Sequence, residues 1–109
     1  MNKRILNTDV NSFRILIKAF STIKNEKDIE LFFKEIFTPQ ELNNLTLRWQ
    51  LLEMLYTKQS QRSIASKLGI SLCKITRGAK ILKHKSVTKK ILKNMEFYNE
   101  HISRNKHKC

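Results

Sequence analysis

The chain has 109 residues and a mass of 12.9 kDa, which is enough for a single domain with a modest core. Hydrophobic residues make up 40% of it, which excludes disorder along most of the length, and two glycines with one proline argue against turn-rich sandwiches and barrels. The 22 lysines and arginines outnumber the nine acidic residues, and the net charge of +13 predicts a polyanionic partner.

The excess positive charge lies in one segment of the chain. Residues 1–53 carry eight cations and seven anions, whereas residues 54–95 carry eleven cations and no aspartate or glutamate. An acid-free segment suits a surface that follows phosphates, because each nearby carboxylate would oppose a polyanion. The alternative is an ordinary lysine-rich face exposed to solvent.

Apolar residues recur at spacings of three and four in the first third of the chain and predict two amphipathic helices, over about residues 9–24 and about 27–37. Their apolar faces consist of Phe13, Leu16, Ile17, Phe20 and Ile23, and of Ile29, Phe32, Phe33 and Ile36. Five of the six phenylalanines lie between residues 13 and 37, which is more apolar surface than so short a chain readily covers. We therefore expect an isologous homodimer, with an ordinary monomeric core as the alternative.

Thr38, Pro39 and Glu41 form a strong signal for a helix start. Thr38 is a capping residue, Pro39 occupies the first helical position, where its missing N–H costs nothing, and Glu41 completes a capping box. The helix that begins there is predicted to reach about Thr57 and carries Leu45, Arg48, Trp49, Leu52 and Leu55.

Three serines predict the remaining helix starts. Ser60 caps a short helix that ends at Gly69, Ser71 caps a helix through Leu82, and Ser86 caps a last helix through about Ile102. Six helices and no alternating strand pattern predict an all-α protein.

Residues 61–80 have the spacing of a helix-turn-helix. Ala65 is small enough to let the second helix cross closely, and Gly69 supplies the positive φ that the turn needs. Apolar contacts would come from Ile64, Leu68, Ile70, Ile75 and Leu82, while the outer positions of the second helix are Ser71, Lys74, Thr76, Arg77 and Lys80. The basic surroundings favour a DNA-binding role over a plain helical hairpin.

Five short strings in this part of the chain resemble the bacterial Trp repressor family: Phe37-Thr38-Pro39-Gln40-Glu41, Leu45-Thr46-Leu47-Arg48, Ser60-Gln61-Arg62, Ile75-Thr76-Arg77-Gly78 and Leu82-Lys83. The likeness covers roughly residues 35–85. The string Ile75-Thr76-Arg77-Gly78 is its most specific part, because a ligand-independent branch of the superfamily has another sequence there.

The resemblance implies an intertwined, all-α homodimer that binds free L-tryptophan as corepressor and then a palindromic operator in double-stranded DNA. We expect one domain over residues 1–109. Its parts would be dimerisation helices over 9–57, a helix-turn-helix over 60–83, a C-terminal helix over 86–102 and a frayed tail over 103–109.

The resemblance also implies a tryptophan site. Arg48 and Arg77 match the two arginines that stack on the indole, and Arg77 matches the residue that pairs with the ligand carboxylate. Thr38 matches the residue at the mouth of the pocket, and Gly78 matches the glycine that lets the ligand approach the backbone. The remaining matches are the backbone carbonyls of Glu35 and Phe37, which would receive the ammonium, and Ile81, which replaces a family serine that also meets it.

On the DNA side, Gln61 and Arg62 match residues that meet the backbone and a guanine. The positions near the major groove are Leu72, Cys73, Lys74 and Thr76, and Lys83 matches a phosphate-contacting lysine; Arg77 and Lys80 complete the expected DNA-contacting set. Ala65 replaces a family lysine, and Lys74 stands where the family often has threonine, so the operator preference is expected to differ.

Other classes of function have little support in the sequence. His84, His101, His107 and Cys109 lack the spacing of a zinc site, and no catalytic constellation or phosphate-binding glycine loop is present, so we expect neither a metal, a cofactor nor an enzyme. Two cysteines and no membrane-length apolar run predict a reduced, cytoplasmic protein without a membrane partner.

Three functions remain open at this point. The first is a tryptophan-dependent repressor of genes for tryptophan biosynthesis or transport, and the second is a regulator of the same fold that has lost its ligand. The third is a basic RNA-binding accessory protein, which is less favoured because residues 57–96 contain no Phe, Tyr or Trp on which bases could stack.

Overall fold

Six α-helices and no strands make up the regular structure of residues 9–95, the part of the chain that the computed structural model describes. They are α1 (Val10–Ser21), α2 (Glu26–Ile36), α3 (Pro39–Tyr56), α4 (Gln61–Leu68), α5 (Leu72–Lys83) and α6 (Val87–Asn94). The all-α prediction is confirmed. The predicted continuation of α6 to Ile102 and the predicted frayed tail lie outside the described residues.

The predicted helix starts are formed by the expected capping bonds. The Thr38 N–H donates to Glu41 Oε1 at 2.8 Å, and the Glu41 N–H donates to Thr38 Oγ1 at 3.1 Å, so the capping box is complete. The hydroxyls of Ser60, Ser71 and Ser86 accept from backbone N–H groups three residues later, at 3.1, 3.4 and 3.0 Å.

Two helices end in a residue with left-handed backbone. Gly69 follows α4 with φ 63°, as predicted, and its N–H donates to Ala65 O. Lys58 follows α3 with φ 65°, which the sequence did not indicate. There the Lys58 N–H donates to Leu55 O and the Gln59 N–H donates to Met54 O, which is the bonding pattern of a Schellman motif.

The chain divides into two compact units, one up to Leu42 and one from Asn43 onward. In the first unit, α1 and α2 meet through the ring of Phe20, whose centroid lies 6.3 Å from that of Phe32 and 5.4 Å from that of Phe33. Neither helix contains a buried residue, and Val10 and Phe13 are 70% and 59% exposed. The apolar face of α1 is therefore left uncovered by the part of the chain that the structure describes.

The second unit has a small core. Leu51 of α3, Ile64 of α4 and Ile75 of α5 are buried together, and half-buried residues pack around them: Met54, Leu55, Ala65, Leu68 and Ile70. α5 packs against both α4 and α6, and the fully buried Leu92 anchors α6 in this unit. No described helix is both long and apolar enough to cross a membrane.

The two left-handed residues give a paired prediction about stability. Gly69→Ala should lower the free energy of unfolding by about 1 kcal/mol, because a side chain is strained at this φ; a Cβ there meets no atom within 4 Å, so a clash contributes nothing. Lys58→Gly should raise it by roughly 0.5–1 kcal/mol, because it relieves the same strain.

Urea unfolding at one fixed protein concentration measures both changes. Gly69→Asn is the control and should lose less than Gly69→Ala, because asparagine tolerates left-handed backbone better than alanine does. Equal stability of the Gly69→Ala variant and the wild type would contradict the argument.

Candidate nucleic-acid interface and ligand pocket

α4 and α5 form a helix-turn-helix. Gly69, Ile70 and Ser71 connect the two helices, which pack against each other. Ile64 and Ile75 are fully buried at the centre of the unit. The packing that the sequence predicted is therefore present for Ile64 and Ile75, which are buried, and for Leu68 and Ile70, which pack against them; Leu82 is not part of this cluster.

The predicted DNA-contacting side chains all lie on the surface. Nine of nine are exposed: Gln61, Arg62, Leu72, Cys73, Lys74, Thr76, Arg77, Lys80 and Lys83. Exposure makes each one available to a partner, and their role in binding DNA stays a prediction.

The electrostatics of the second unit favour an anionic partner. α4, α5 and α6 have no acidic residue in their first turns, whereas α2 begins with Glu26 and Asp28 and α3 with Glu41. The positive ends of three helix dipoles are therefore left without an acidic side chain beside them.

The salt bridges also leave the positive charge of the second unit uncompensated. Within residues 9–95 the only salt bridge joins Lys34 Nζ to Glu30 Oε2 at 2.8 Å, in the first unit, and its hydrogen bond and charge lower the pKa of Glu30. None of the eleven cations between residues 54 and 95 forms a salt bridge with a described residue.

A cavity of about 490 Å³ lies between α3 and α5 in the second unit. Among the described residues its lining consists of Asn44, Leu47, Arg48, Leu51, Leu52, Ile70, Lys74, Arg77, Gly78 and Ile81, none of which is acidic. Four residues of the predicted tryptophan site therefore line one cavity: Arg48, Arg77, Gly78 and Ile81. Their position is a structural finding, and their role toward a ligand stays a prediction.

Gly78 also has a packing role that the sequence reasoning did not include. A Cβ at this buried position would lie 3.1 Å from Leu55 Cδ1 and 3.2 Å from Leu51 Cδ2. The missing side chain thus lets α5 approach α3 closely. Because Arg77 precedes Gly78 and Arg48 lies one turn before Leu51, this approach determines where the two arginines stand relative to each other.

α5 carries two separate stripes of side chains, and each stripe contains two cations. Lys74, Arg77 and Ile81 follow each other at spacings of three and four and line the cavity; we call them the pocket stripe. Thr76, Lys80 and Lys83 have the same spacing, are exposed and do not line the cavity; we call them the outer stripe. The sequence had assigned Lys74 to the DNA surface alone.

Glu35, Phe37 and Thr38 belong to the first unit. Glu35 is exposed, the Phe37 ring packs edge-on against Phe33 with centroids 5.4 Å apart, and Thr38 caps α3. Their expected contribution to a tryptophan site stays a prediction.

Sequence reasoning missed most of the apolar lining of the cavity. Leu47, Leu51, Leu52 and Ile70 were not assigned to the site, nor was the polar Asn44. A signal existed, since residues 44, 47, 48, 51 and 52 share one face of a helix at spacings of three and four. That spacing identifies a face, but not the second helix against which it forms a cavity.

Residues 9–95 contain no group of three His, Cys, Asp or Glu side chains placed to hold a metal ion. Cys73 is an exposed free cysteine, and His84 is also exposed. His101, His107 and Cys109 lie outside the described residues.

Comparison with known proteins identifies the family. The family model described as "Trp repressor protein" matches residues 11–96. A "Trp operon repressor homolog" of Xylella fastidiosa strain M23 is 36% identical over 87 residues, which cover 79% of this chain and 95% of that protein.

Relatives of the same name from two vibrios give similar values. The protein of Vibrio parahaemolyticus is 40% identical over 76 residues (69% of this chain, 74% of that protein), and the protein of Vibrio campbellii is 39% identical over 71 residues (64% and 70%). No solved structure gives a significant match. Because the family model and the Xylella relative each span more than three quarters of the sequence, the chain belongs to the Trp repressor family, a family of transcriptional regulators.

Proposed function

We propose that this chain is a sequence-specific DNA-binding transcriptional repressor that free L-tryptophan activates as a corepressor. It acts in the cytoplasm on a palindromic operator of genes for tryptophan biosynthesis or transport. The observation that carries the proposal is the cavity in which Arg48 of α3 and Arg77 of α5 both take part. Membership of the Trp repressor family supports it independently.

The size and lining of the cavity suit an indole. Its volume of about 490 Å³ falls within the range of small-molecule sites, and leucines of α3 supply apolar contacts. Guanidinium planes stack on aromatic rings, and each such contact contributes roughly 0.5–2 kcal/mol when it is desolvated. We assign this stacking role to Arg48 and Arg77.

The polar ends of tryptophan would meet other groups. We assign Arg77 to the carboxylate. Following the family resemblance, we assign the backbone carbonyls of Glu35 and Phe37 to the ammonium and Thr38 to the mouth of the site. Ile81 offers no hydrogen bond where the family has serine. That loss weakens binding by about 0.5–1.5 kcal/mol, or up to about tenfold in affinity.

An intertwined homodimer is the proposed assembly. The apolar face of α1 supports it, since Val10, Phe13 and Ile17 are 70%, 59% and 52% exposed. A face this apolar normally marks an interaction surface. A second copy of the chain would bury it and would also supply the two-fold symmetry that a palindromic operator requires.

On DNA, α5 is the proposed recognition helix. Its exposed Leu72, Cys73, Lys74 and Thr76 face base edges in the major groove, and Lys80 and Lys83 approach phosphates. Gln61 and Arg62, at the start of α4, contact the backbone and a guanine.

Ligand and DNA are coupled through α5. A flat ligand held by Arg48 and Arg77 fixes the angle between the helix-turn-helix and α3. In a two-fold dimer this angle sets the spacing of the two recognition helices, which must match about one helical turn of DNA. The ligand therefore favours the DNA-competent state. Thermodynamic linkage requires that DNA raise the affinity for the ligand by the same factor by which the ligand raises the affinity for DNA.

A ligand-independent regulator of the same fold is the second candidate. Ile81 favours it, because this 37% exposed apolar side chain lines the cavity where the family has a polar one. An RNA-binding accessory role is less favoured, because the basic segment contains no aromatic stacking residue between residues 57 and 96.

Operator affinity should depend steeply on salt. A dimer with 6–10 phosphate contacts predicts that the logarithm of the association constant falls with the logarithm of the salt concentration at a slope of roughly −5 to −9. Fluorescence anisotropy of a labelled operator across a salt series measures the slope. A slope near zero would exclude the acid-free segment of residues 54–95 as the DNA surface.

Arg62 should discriminate between sequences. Arg62→Ala is expected to cost about 1–3 kcal/mol on the operator and little on random duplex, because a bidentate arginine–guanine contact is lost. The control is Lys67→Ala on the same helix, which should not change the ratio of the two affinities. Equal losses of the Arg62 variant on both duplexes would make Arg62 a backbone contact instead.

Tryptophan should raise operator affinity at least about tenfold, a coupling near 1.4 kcal/mol or more. Arg48→Ala should abolish this response and leave weak binding to random DNA intact, whereas Lys24→Ala, a change at an exposed lysine between α1 and α2, should preserve it. Operator titrations with and without millimolar tryptophan measure the coupling. If the wild type binds its operator equally well in both, the ligand-independent regulator replaces the corepressor hypothesis.

A further inference from the structure

Lys74 and the outer stripe lie on different sides of α5. Lys80 lies six positions after Lys74, which places the two about 120° apart around the helix axis. Lys74 shares the pocket stripe with Arg77, three residues away, and both line the cavity, whereas Lys80 does not. Lys74 lies in the first turn of α5, where its backbone N–H donates to Ser71 Oγ at 3.4 Å and its side chain takes no part in the cap.

The charges that line the cavity indicate what Lys74 can bind. Arg48, Lys74 and Arg77 bring three cations to a site that has no acidic residue among its described lining. Most of the other lining residues are apolar: Leu47, Leu51, Leu52, Ile70, Gly78 and Ile81. Stacking on an aromatic ring occupies the faces of the two guanidinium groups but leaves the ammonium of Lys74 free to act as a point charge.

We propose that Lys74 is a specificity-determining residue of the ligand site, where its ammonium shares the ligand's carboxylate with Arg77. The inference rests on the proposed function for the identity of the site and extends it to the class of ligand. The site selects aromatic compounds that carry a carboxylate and discriminates against the corresponding amides. This role replaces the major-groove contact that the proposed function gave to Lys74. Lys74 then contributes mainly to ligand affinity, and the outer stripe contributes to DNA affinity.

The test compares a carboxylate with its neutral amide. Indole-3-acetate, indole-3-acetamide and L-tryptophan are titrated calorimetrically into the full-length wild type, Lys74→Met and the matched control Lys80→Met. Methionine keeps the length and helix propensity of lysine without the charge, and the capping bond of Lys74 uses its backbone, so the fold is retained. Thermal melts check this for both variants.

We expect Lys74→Met to reduce the preference for indole-3-acetate over indole-3-acetamide by about fivefold to tenfold. The affinity for L-tryptophan should fall by a similar factor. Binding of the acetamide should change less than about twofold. Lys80→Met should leave all three affinities unchanged and weaken binding to DNA. Lys74→Arg should restore the preference for the carboxylate.

The remaining outcomes overturn one claim or both. An unchanged preference in the Lys74→Met variant, with weaker operator binding, would make Lys74 a DNA contact and would overturn the inference alone. Equal losses for acetate and acetamide would make Lys74 a packing residue and would also overturn it. Binding of indole-3-acetate but not of L-tryptophan would overturn the proposed corepressor while the acetate-to-acetamide ratio still decides the role of Lys74. Binding of neither would overturn both.

Discussion

The close approach of α5 to α3 at Gly78 is the constraint on which the second unit depends. A Cβ at this position would lie 3.1–3.2 Å from side-chain atoms of Leu55 and Leu51, so only glycine allows the observed separation without a shift of the leucines. The cavity begins beside this contact, since Leu51 and Gly78 also line it. One glycine thus serves both the packing of two helices and the spacing of Arg48 and Arg77. A change that moved the helices apart would alter the core and the pocket together.

The second physical theme is uncompensated positive charge. A folded protein gains stability when acidic residues lie near helix N-termini, and α2 and α3 follow this rule while α4, α5 and α6 do not. Self-repulsion among cations without salt bridges adds to the cost. Binding of a polyanion removes both penalties at once. If the second unit binds DNA as proposed, the same uncompensated charge that lowers its stability in the free state raises its affinity for the partner.

Local features were predictable from sequence, and features that depend on a second element were not. The capping box at Thr38 and Glu41, the serine caps and Gly69 each depend on a few neighbouring residues, and each is present. The left-handed Lys58 was missed, because lysine carries no preference for that conformation and the Schellman bonds of α3 hold it there. The place of Lys74 was missed because helical spacing alone does not tell which stripe of α5 meets α3.

Three sides of one short helix allow it to serve in packing and, in the proposed function, in binding both the ligand and DNA. Ile75 and Gly78 occupy the buried side of α5, the pocket stripe lines the cavity, and the outer stripe remains exposed. Because these sides belong to one helix, a ligand that shifts the pocket stripe shifts the outer stripe as well. In the proposed function, coupling between ligand and DNA then needs no long pathway through the protein, since the same twelve-residue helix contacts both.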